Sequence, residues 1–320
     1  MTISVGTFNL NNLFSRFNFY AEIDSLEDVA DGVTFEGHTA DAENSMIKVR
    51  TYKGKLVKQK DPEESAIIAE RIKRMNLDVL AVQEVEDQDT LKEFNATLLD
   101  NMYPFIGVIE GNDPRLIDVG IMSKLPIGGL TSWQYTVHPD DSGRRIFSRD
   151  VLEVEILDAT RKKTLFTLYN NHLKSHFVDF RTDPVAGANA SNLTRKRQSE
   201  MLAQILKKQT RPNSNYIVLG DMNDPLDAAF LNAFTQDPEL GLVNGLANPT
   251  ETQSFKEELS NKAWTHRFKE SGKPAEYALF DQIWLSPNLA AKQTKAMIDR
   301  RTLLSGDGSD HDPAWVVLEI

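Results

Sequence analysis

Eight short apolar runs, rich in β-branched and aromatic residues, constrain this chain most: Ile3 to Leu10, Val79 to Val82, Val119 to Met122, Val151 to Leu157, Leu165 to Tyr169, Tyr216 to Leu219, Gln282 to Leu285 and Trp315 to Leu318. Runs of this length and make-up read as strands, most of them buried on both faces. Amphipathic stretches separate some of them. In "DPEESAIIAERIKRM", Asp61 suits a helix cap and Pro62 a first turn, while Ile68, Ile72 and Met75 recur at i, i+4 and i+7 as one apolar face. A second helix is predicted from Thr194 to Lys208, burying Met201, Leu202, Ile205 and Leu206. Strands and helices do not alternate as clean βαβ units. The prediction is therefore an α/β chain with sheets mixed in direction, packed on each other, and helices outside.

The segment from Arg16 to Lys60 breaks this rhythm. It carries Glu22, Asp24, Glu27, Asp28, Asp31, Glu36, Asp41 and Glu43 with few apolar residues, and reads as an acidic insertion over one sheet edge or the mouth of a site. With 320 residues, 40% of them hydrophobic, the chain is long enough to bury a sizeable core as one large domain or two ordinary ones. No apolar stretch approaches the roughly 20 residues that span a bilayer. The opening "MTISVGTFNL" lacks the basic and apolar regions of a secretory leader, so the cytoplasm is the expected location. There is no cysteine, which excludes disulfides, thiolate zinc sites and a cysteine nucleophile. A net charge of −11 argues against a broadly basic nucleic-acid surface. A local basic groove remains open, with Arg144, Arg145, Arg149 and the cluster Arg195, Lys196, Arg197 as candidates. Nothing calls for a membrane or an obligate protein partner.

The run ends carry the chemistry. "SVGTFNL" supplies Asn9, "DVLAVQEVE" Glu84, "LFTLYNNHLKSH" Asn171 and His172, "YIVLGDMND" Asp221 and Asn223, "FDQIWLS" Asp281, and "GSDHDP" Asp310 and His311. Each alone has an ordinary structural explanation as a turn, a cap or a satisfied core residue. If the strands lie side by side, these ends converge on one rim, and gathered carboxylates call for a cation or a shared proton. Oxygen donors without thiols suit Mg²⁺ ahead of Mn²⁺ or Ca²⁺, with Glu84 as the first ligand and Asn9 and Asp310 close by. A zinc site from His172, His176 and His311 is a lesser alternative.

The ordered set "TFNLNNL", "VLAVQEVE", "VGIMSKLPI", "FSRDVLEVEI", "NNHLKSH", "VLGDMNDP", "FDQIWLSP" and "GSDHDPAWVVLEI" resembles the endonuclease/exonuclease/phosphatase superfamily, over essentially the whole chain apart from the insertion. The resemblance implies one domain over residues 1–320, a four-layer α/β/β/α sandwich of two packed mixed sheets flanked by helices. It implies that Asn9, Glu84 and Asp310 hold the metal and that Asp221 positions or deprotonates the attacking water. His311, oriented by Asp281, would contact the scissile phosphate or act as base. His172 is implied as a general acid or phosphate ligand, and Asn171, Asn223 and Arg149 as phosphate-binding residues. The expected activity is Mg²⁺-dependent phosphodiester hydrolysis, with DNA as the favoured substrate because "NNHLKS" looks DNase-like. A phosphatase or phosphodiesterase acting on a small or lipid ester, and a catalytically silent binding module, are the competing expectations.

Overall fold

Two mixed sheets form the centre of the structure, a computed structural model that describes residues 1–15, 60–113, 115–178, 182–252, 263–304 and 306–320. The first sheet has seven strands, in the order Thr250–Glu251, Gln293–Ile298, Ala314–Glu319, Thr2–Leu13, Val79–Val85, Asp118–Ser123, Phe105–Val108. The second has six, in the order Val243–Asn244, Asp281–Leu285, Tyr216–Asp221, Thr164–His172, Val151–Leu157, Ile127–Ser132. All eight apolar runs of the sequence lie in these strands. The expected acidic insertion lies outside the described residues, apart from Lys60.

The layering follows from which side chains each strand buries. Val5, Val79 and Val119 of the first sheet meet Leu152, Leu168, Leu219 and Ile283 of the second in one shared core. The alternate residues face outward. Phe8, Leu80 and Val82 pack with Ile68, Ile72, Leu91 and Phe94 of the helices Pro62–Met75 and Gln88–Leu98. Tyr169, Val218 and Trp284 pack with Leu202, Ile205 and Leu206 of the helix Pro184–Gln209. The order is helix, sheet, sheet, helix, as the sequence predicts. No helix among the described residues is long and apolar enough to cross a membrane.

The first helix is capped as expected, Asp61 accepting from the Glu63 N–H. The other two differ from the sequence reading. The long helix begins at Pro184, ten residues before the predicted start, with Asp183 accepting from the Ala186 N–H. Its first turns bury Gly187, Ser191 and Arg195 rather than large apolar residues, so they carry no apolar period. Gly187 is needed there: a β-carbon would stand 2.1 Å from Val178 Cγ1. Helix Gln88–Leu98 buries only Thr90, Leu91, Phe94 and Asn95 and starts on Asp87, whose carboxylate accepts from the Thr90 N–H. So sparse an apolar face gave the sequence reading little to detect.

Candidate active site

Strand alternation places most of the predicted polar residues on the seam between the sheets. Leu168 faces the shared core, so Asn170 and His172 at steps of two face the same way. His172 is the register partner of Asp221, and Asp221 of Asp281, which lines three of the expected residues in one row across three strands. From the opposite sheet, Asn9 shares the inward face of Val5 and pairs in register with Gln83. Below the row, Gln83 donates to Asn170 Oδ1 at 2.7 Å, and the Asn170 amide donates to the carbonyls of Val82 and Gly120 at 3.0 and 2.9 Å. The apolar core thus ends in a polar bridge between the sheets directly beneath the site.

Glu84 reaches this seam against the alternation. Its neighbours Leu80 and Val82 face the helices, and a regular strand would send Glu84 there too. Instead the registers with both neighbouring strands slip between Gln83 and Val85, and Glu84 adopts φ 60°, the left-handed region. A bulge of this kind re-aims a side chain at the expense of backbone strain. Glu84 Oε1 stands 3.8 Å from His172 Nε2, and Oε2 accepts from the Asn12 N–H at 3.0 Å.

Asp221 occupies the middle of the cluster. Its Oδ2 accepts from the Asn9 amide at 3.0 Å and lies 3.5 Å from His172 Nε2 and 3.8 Å from His311 Nε2. Its Oδ1 accepts from the backbone N–H of Asn223, itself at φ 51°, an Asx-type turn that ends the strand. Gly220 makes the approach possible: at φ 125°, a β-carbon there would sit 2.0 Å from the Asn171 carbonyl oxygen. His311 Nδ1 bonds Asp281 Oδ2 at 2.7 Å, which fixes the ring and leaves Nε2 toward Asp221. The Ser309 hydroxyl donates to the Asn9 carbonyl and accepts from the His311 N–H, tying the closing loop to the first strand.

Burial and crowding set the charge states. Burial, reinforced by Asp310 and Asp221, raises Glu84 above the ordinary carboxylate range. Burial likewise outweighs the favourable charge of His311 and raises Asp221. Burial would lower His311, but Asp281, Asp221 and Asp310 hold it well above the usual imidazole range. His172 goes the other way, pushed well below that range by burial and by the charges of Arg149 and His311. Asp310, whose side chain is 51% exposed, is partly desolvated, which would raise it, but His311 and His266 hold it below the ordinary carboxylate range.

Other expected residues have their side chains bonded to neighbouring protein groups. Asn171 faces the helix side with Tyr169, and its amide donates to the Tyr169 and Leu219 carbonyls at 2.8 and 3.4 Å. The Asn223 amide donates to the Leu173 carbonyl. Arg149 is buried, with Nε on Asp113 Oδ2 at 3.0 Å and Nη1 on the Leu173 carbonyl at 2.9 Å. Arg195 is likewise fully buried, bonded to Asp224, Asn192 and the Lys174 carbonyl, so it knits loops together from below and is no surface ligand. Arg144 and Arg197 both reach Asp141, Lys196 lies 3.7 Å from Glu200, and Arg145 donates to Asn112. Among the described residues the alternative zinc set does not assemble: the groups whose donor atoms come together are His266, Asp310 and His311, and Asp221, Asp281 and His311, while His176 Nε2 lies 3.2 Å from Asp224 Oδ1. Asp312, the second acid of "SDHD", is an anchor: it accepts from Arg71, Arg300 and Arg301 at 3.1 to 3.4 Å with no exposure at all.

The sequence reading missed Gln83, Asn170, Asp113 and His266. Of these, Asp113 and His266, the histidine of "WTHRF", have residue types that mark possible chemistry, and neither closes an apolar run. His266 Nε2 lies 3.9 Å from Asp310 Oδ2 and its ring centroid 4.8 Å from that of His311.

Two packed mixed sheets, flanked by helices, thus carry carboxylates, amides and imidazoles together at one end of their seam. The sequence matches the Endonuclease/Exonuclease/phosphatase family over residues 6–311, and the chain belongs to that family of hydrolytic phosphoesterases, which are typically metal-dependent. Solved structures similar in fold include an AP endonuclease from Archaeoglobus fulgidus, 15% identical, TM-score 0.58, covering 99% of this chain and 100% of that one. A mannosyl-6-phosphatase from Bacteroides thetaiotaomicron is 14% identical, TM-score 0.57, with the same coverages of 99% and 100%. Truncated TDP2 from Caenorhabditis elegans is 16% identical, TM-score 0.54, covering 100% of this chain and 98% of that one. No curated protein matches the chain by sequence.

Proposed function

We propose that the chain works as one domain that hydrolyses phosphodiester bonds with Mg²⁺, Mn²⁺ or Ca²⁺ being the substitutes to test, and that its substrate is DNA. The observation that carries this reading is the meeting of Asn9, Glu84, His172, Asp221, Asp281 and His311 at one end of the sheet seam. Glu84, Asn9 and Asp310 would hold the ion. The donor set fits: it is made of oxygen atoms, and the carboxylates around Glu84 already raise its proton affinity, the repulsion a cation would relieve. When bound, Mg²⁺ would polarise the phosphoryl oxygens and stabilise the leaving-group charge.

The protein's own groups divide the remaining work. Asp221, held by the Asn9 amide and the Asn223 N–H, is a carboxylate made more basic by burial and would accept the proton of the attacking water. His311, kept as imidazolium by Asp281 beside Asp221, would grip a phosphoryl oxygen through Nε2–H. His172, kept neutral, would bind phosphate or pass a proton to the leaving oxygen. Arg149 supports this from beneath: its buried charge favours ionised Glu84, and it helps keep His172 neutral. A positioned acid or base contributes typically about 10²- to 10⁴-fold, so no single histidine supplies the roughly 8–23 kcal/mol of an enzyme's barrier reduction. The ion and the in-line geometry must supply the rest.

The AP endonuclease likeness supports DNA. A second reading, a small phosphate ester, is favoured by the net charge of −11 and by the ion pairs that occupy the local basic cluster. Incubation with plasmid DNA, single-stranded DNA and a panel of sugar, inositol and lipid phosphate esters, with each divalent ion and with EDTA, separates the two. Metal-dependent nicking of plasmid is the expected result. Hydrolysis confined to the small esters selects the second reading, and no turnover of anything under any ion, with Asp221→Asn indistinguishable from wild type, rejects both in favour of a silent binding module.

A further inference from the structure

His266 opens the hairpin strand His266–Lys269 and bridges His311 backbone to backbone. One face of its ring stacks on Phe280, with centroids 4.9 Å apart and planes at 12°. That stack and the bridge hold the imidazole still beside Asp310 and His311. The donor atoms of His266, Asp310 and His311 all fall within 4.8 Å of one another. Among the described residues no hydrogen bond occupies either ring nitrogen of His266, whose side chain is 18% exposed.

We propose that His266, Asp310 and Nε2 of His311 form a second cation site that takes a transition-metal ion, Zn²⁺ above all, and that filling it withdraws His311 from hydrolysis. The donor chemistry selects the ion. Two imidazole nitrogens and one carboxylate oxygen leave an open fourth position, the composition that suits Zn²⁺, whereas Mg²⁺ demands an oxygen shell and sheds water reluctantly. The outer shell is also in place. Asp281 on Nδ1 of His311 is the carboxylate that orients a metal-binding imidazole and fixes its other nitrogen outward, and the ion takes the Nε2 lone pair by displacing the Nε2 proton to solvent. Phe280 fixes His266 by packing instead. The site is distinct from the oxygen-rich one around Glu84, and the two meet only at Asp310. Zn²⁺ would therefore act as a brake on the Mg²⁺ enzyme.

The withdrawal of His311 rests on the role proposed for it above; the binding of the ion does not. The test titrates Zn²⁺ into the full chain held in saturating Mg²⁺, by calorimetry, for wild type, His266→Ala and His266→Gln, with thermal melts confirming that each variant is folded. Co²⁺ absorption reports the coordination directly. Wild type should bind one Zn²⁺ per chain. Losing a ligand should weaken binding by at least the roughly 10- to 100-fold that loss of an outer-shell partner costs. Plasmid nicking at fixed Mg²⁺ should fall as Zn²⁺ fills the wild-type site and should resist the same Zn²⁺ in His266→Ala. Equal Zn²⁺ affinity in wild type and both variants overturns the site. Zn²⁺ bound through His266 without loss of activity overturns the brake. If the protein nicks no DNA, the calorimetry still decides the site.

Discussion

The side-chain amide of Asn9 donates to Oδ2 of Asp221 at 3.0 Å and so joins the two sheets across 212 residues of chain. This bond is one of only a few polar links that hold the first strand against the central strand of the other sheet at the site. Asn9→Ala leaves the buried Asp221 oxygen without that donor, which should cost roughly 1–3 kcal/mol of stability. It should also raise the proton affinity of Asp221 further, since the lost bond favoured its charged form. Catalysed hydrolysis at neutral pH should fall by about 10²-fold or more. Urea melts and initial rates on the two proteins check both parts; a variant as active as wild type would remove Asn9 from the ion's ligands and its bond to Asp221 from the proton transfer.

Asp281 acts on His311 at 2.7 Å, and the consequence is a pH profile. In the folded protein His311 binds its proton more tightly than a free imidazole, so the imidazolium persists above pH about 6.5 and is lost as pH rises through the raised value. If that charge grips phosphate, activity should fall along that alkaline limb. Asp281→Asn removes the largest of the charges that raise it, so the limb should move to lower pH and the rate at pH 8 should fall more than the rate at pH 6. Rate–pH profiles at saturating Mg²⁺ give the answer; a uniform loss at every pH would mean that Asp281 only supports the fold.

Much of this site was legible because its residues close apolar runs. A strand can be recognised from its composition, and a strand end that carries a carboxylate or histidine marks a rim. The register then did the rest, since His172, Asp221 and Asp281 fall in one row. What could not be read was direction. Asn171 and His172 are adjacent and equally polar, yet alternation sends one to the helices and the other to the site. Strict alternation sends Glu84 to the helix face, and it is a bulge, which leaves no mark in the sequence, that turns the side chain to the site. Asp310, His311 and Asp312 look alike on the page, while Asp312 is spent on three buried arginines from distant segments. The start of the long helix was hidden for a related reason: it packs with Gly187 and Ser191, which have no apolar signature.

Crowding of Glu84 by Asp310 and Asp221 makes metal binding a stability effect as well as a kinetic one. Mg²⁺ that binds only the folded chain should stabilise it by about 2.7 kcal/mol at one hundred times its dissociation constant, and EDTA should reverse this along with activity. Glu84→Gln removes a negative ligand and part of the repulsion. It should melt at the same temperature as wild type or higher without Mg²⁺ and gain less when Mg²⁺ is added. Thermal melts over a Mg²⁺ series report this; identical shifts in the two proteins would exclude Glu84 as a ligand.

Gly220 marks where the site depends on backbone space. At φ 125° any side chain is strained, and a β-carbon would meet the Asn171 carbonyl at 2.0 Å. Gly220→Ala should therefore destabilise by several kcal/mol or prevent folding, at roughly the upper end of single substitutions. Gly143 is the control, with nothing within 4 Å of an added β-carbon. Gly143→Ala should stay within roughly 0.5 kcal/mol of wild type. Expression yield and denaturant melts of the pair separate a local steric requirement from a general intolerance of alanine.

Asp118 offers a pH test that does not involve the proposed ligands. Burial, only partly offset by the Gly111 N–H on Oδ1, raises its pKa from 3.8 to about 7, and its Oδ2 is buried with no hydrogen-bond partner. A carboxyl raised in the folded state binds more protons there than in the unfolded chain. Its protonated form therefore adds stability that is complete below pH about 4 and is lost as pH rises through 7. Asp118→Asn keeps an acceptor for Gly111 and cannot ionise. The variant should lose little or no stability at pH 5 and should be favoured over wild type at pH 8, the difference growing by up to roughly 2.5 kcal/mol between those two pH values. Asp150, whose charge adds to the rise of Asp118, titrates in both proteins, and only its coupling to Asp118 enters the difference. A difference that stays flat from pH 5 to pH 8 would mean that Asp118 is already charged in the folded chain, with a partner or ordered water on Oδ2.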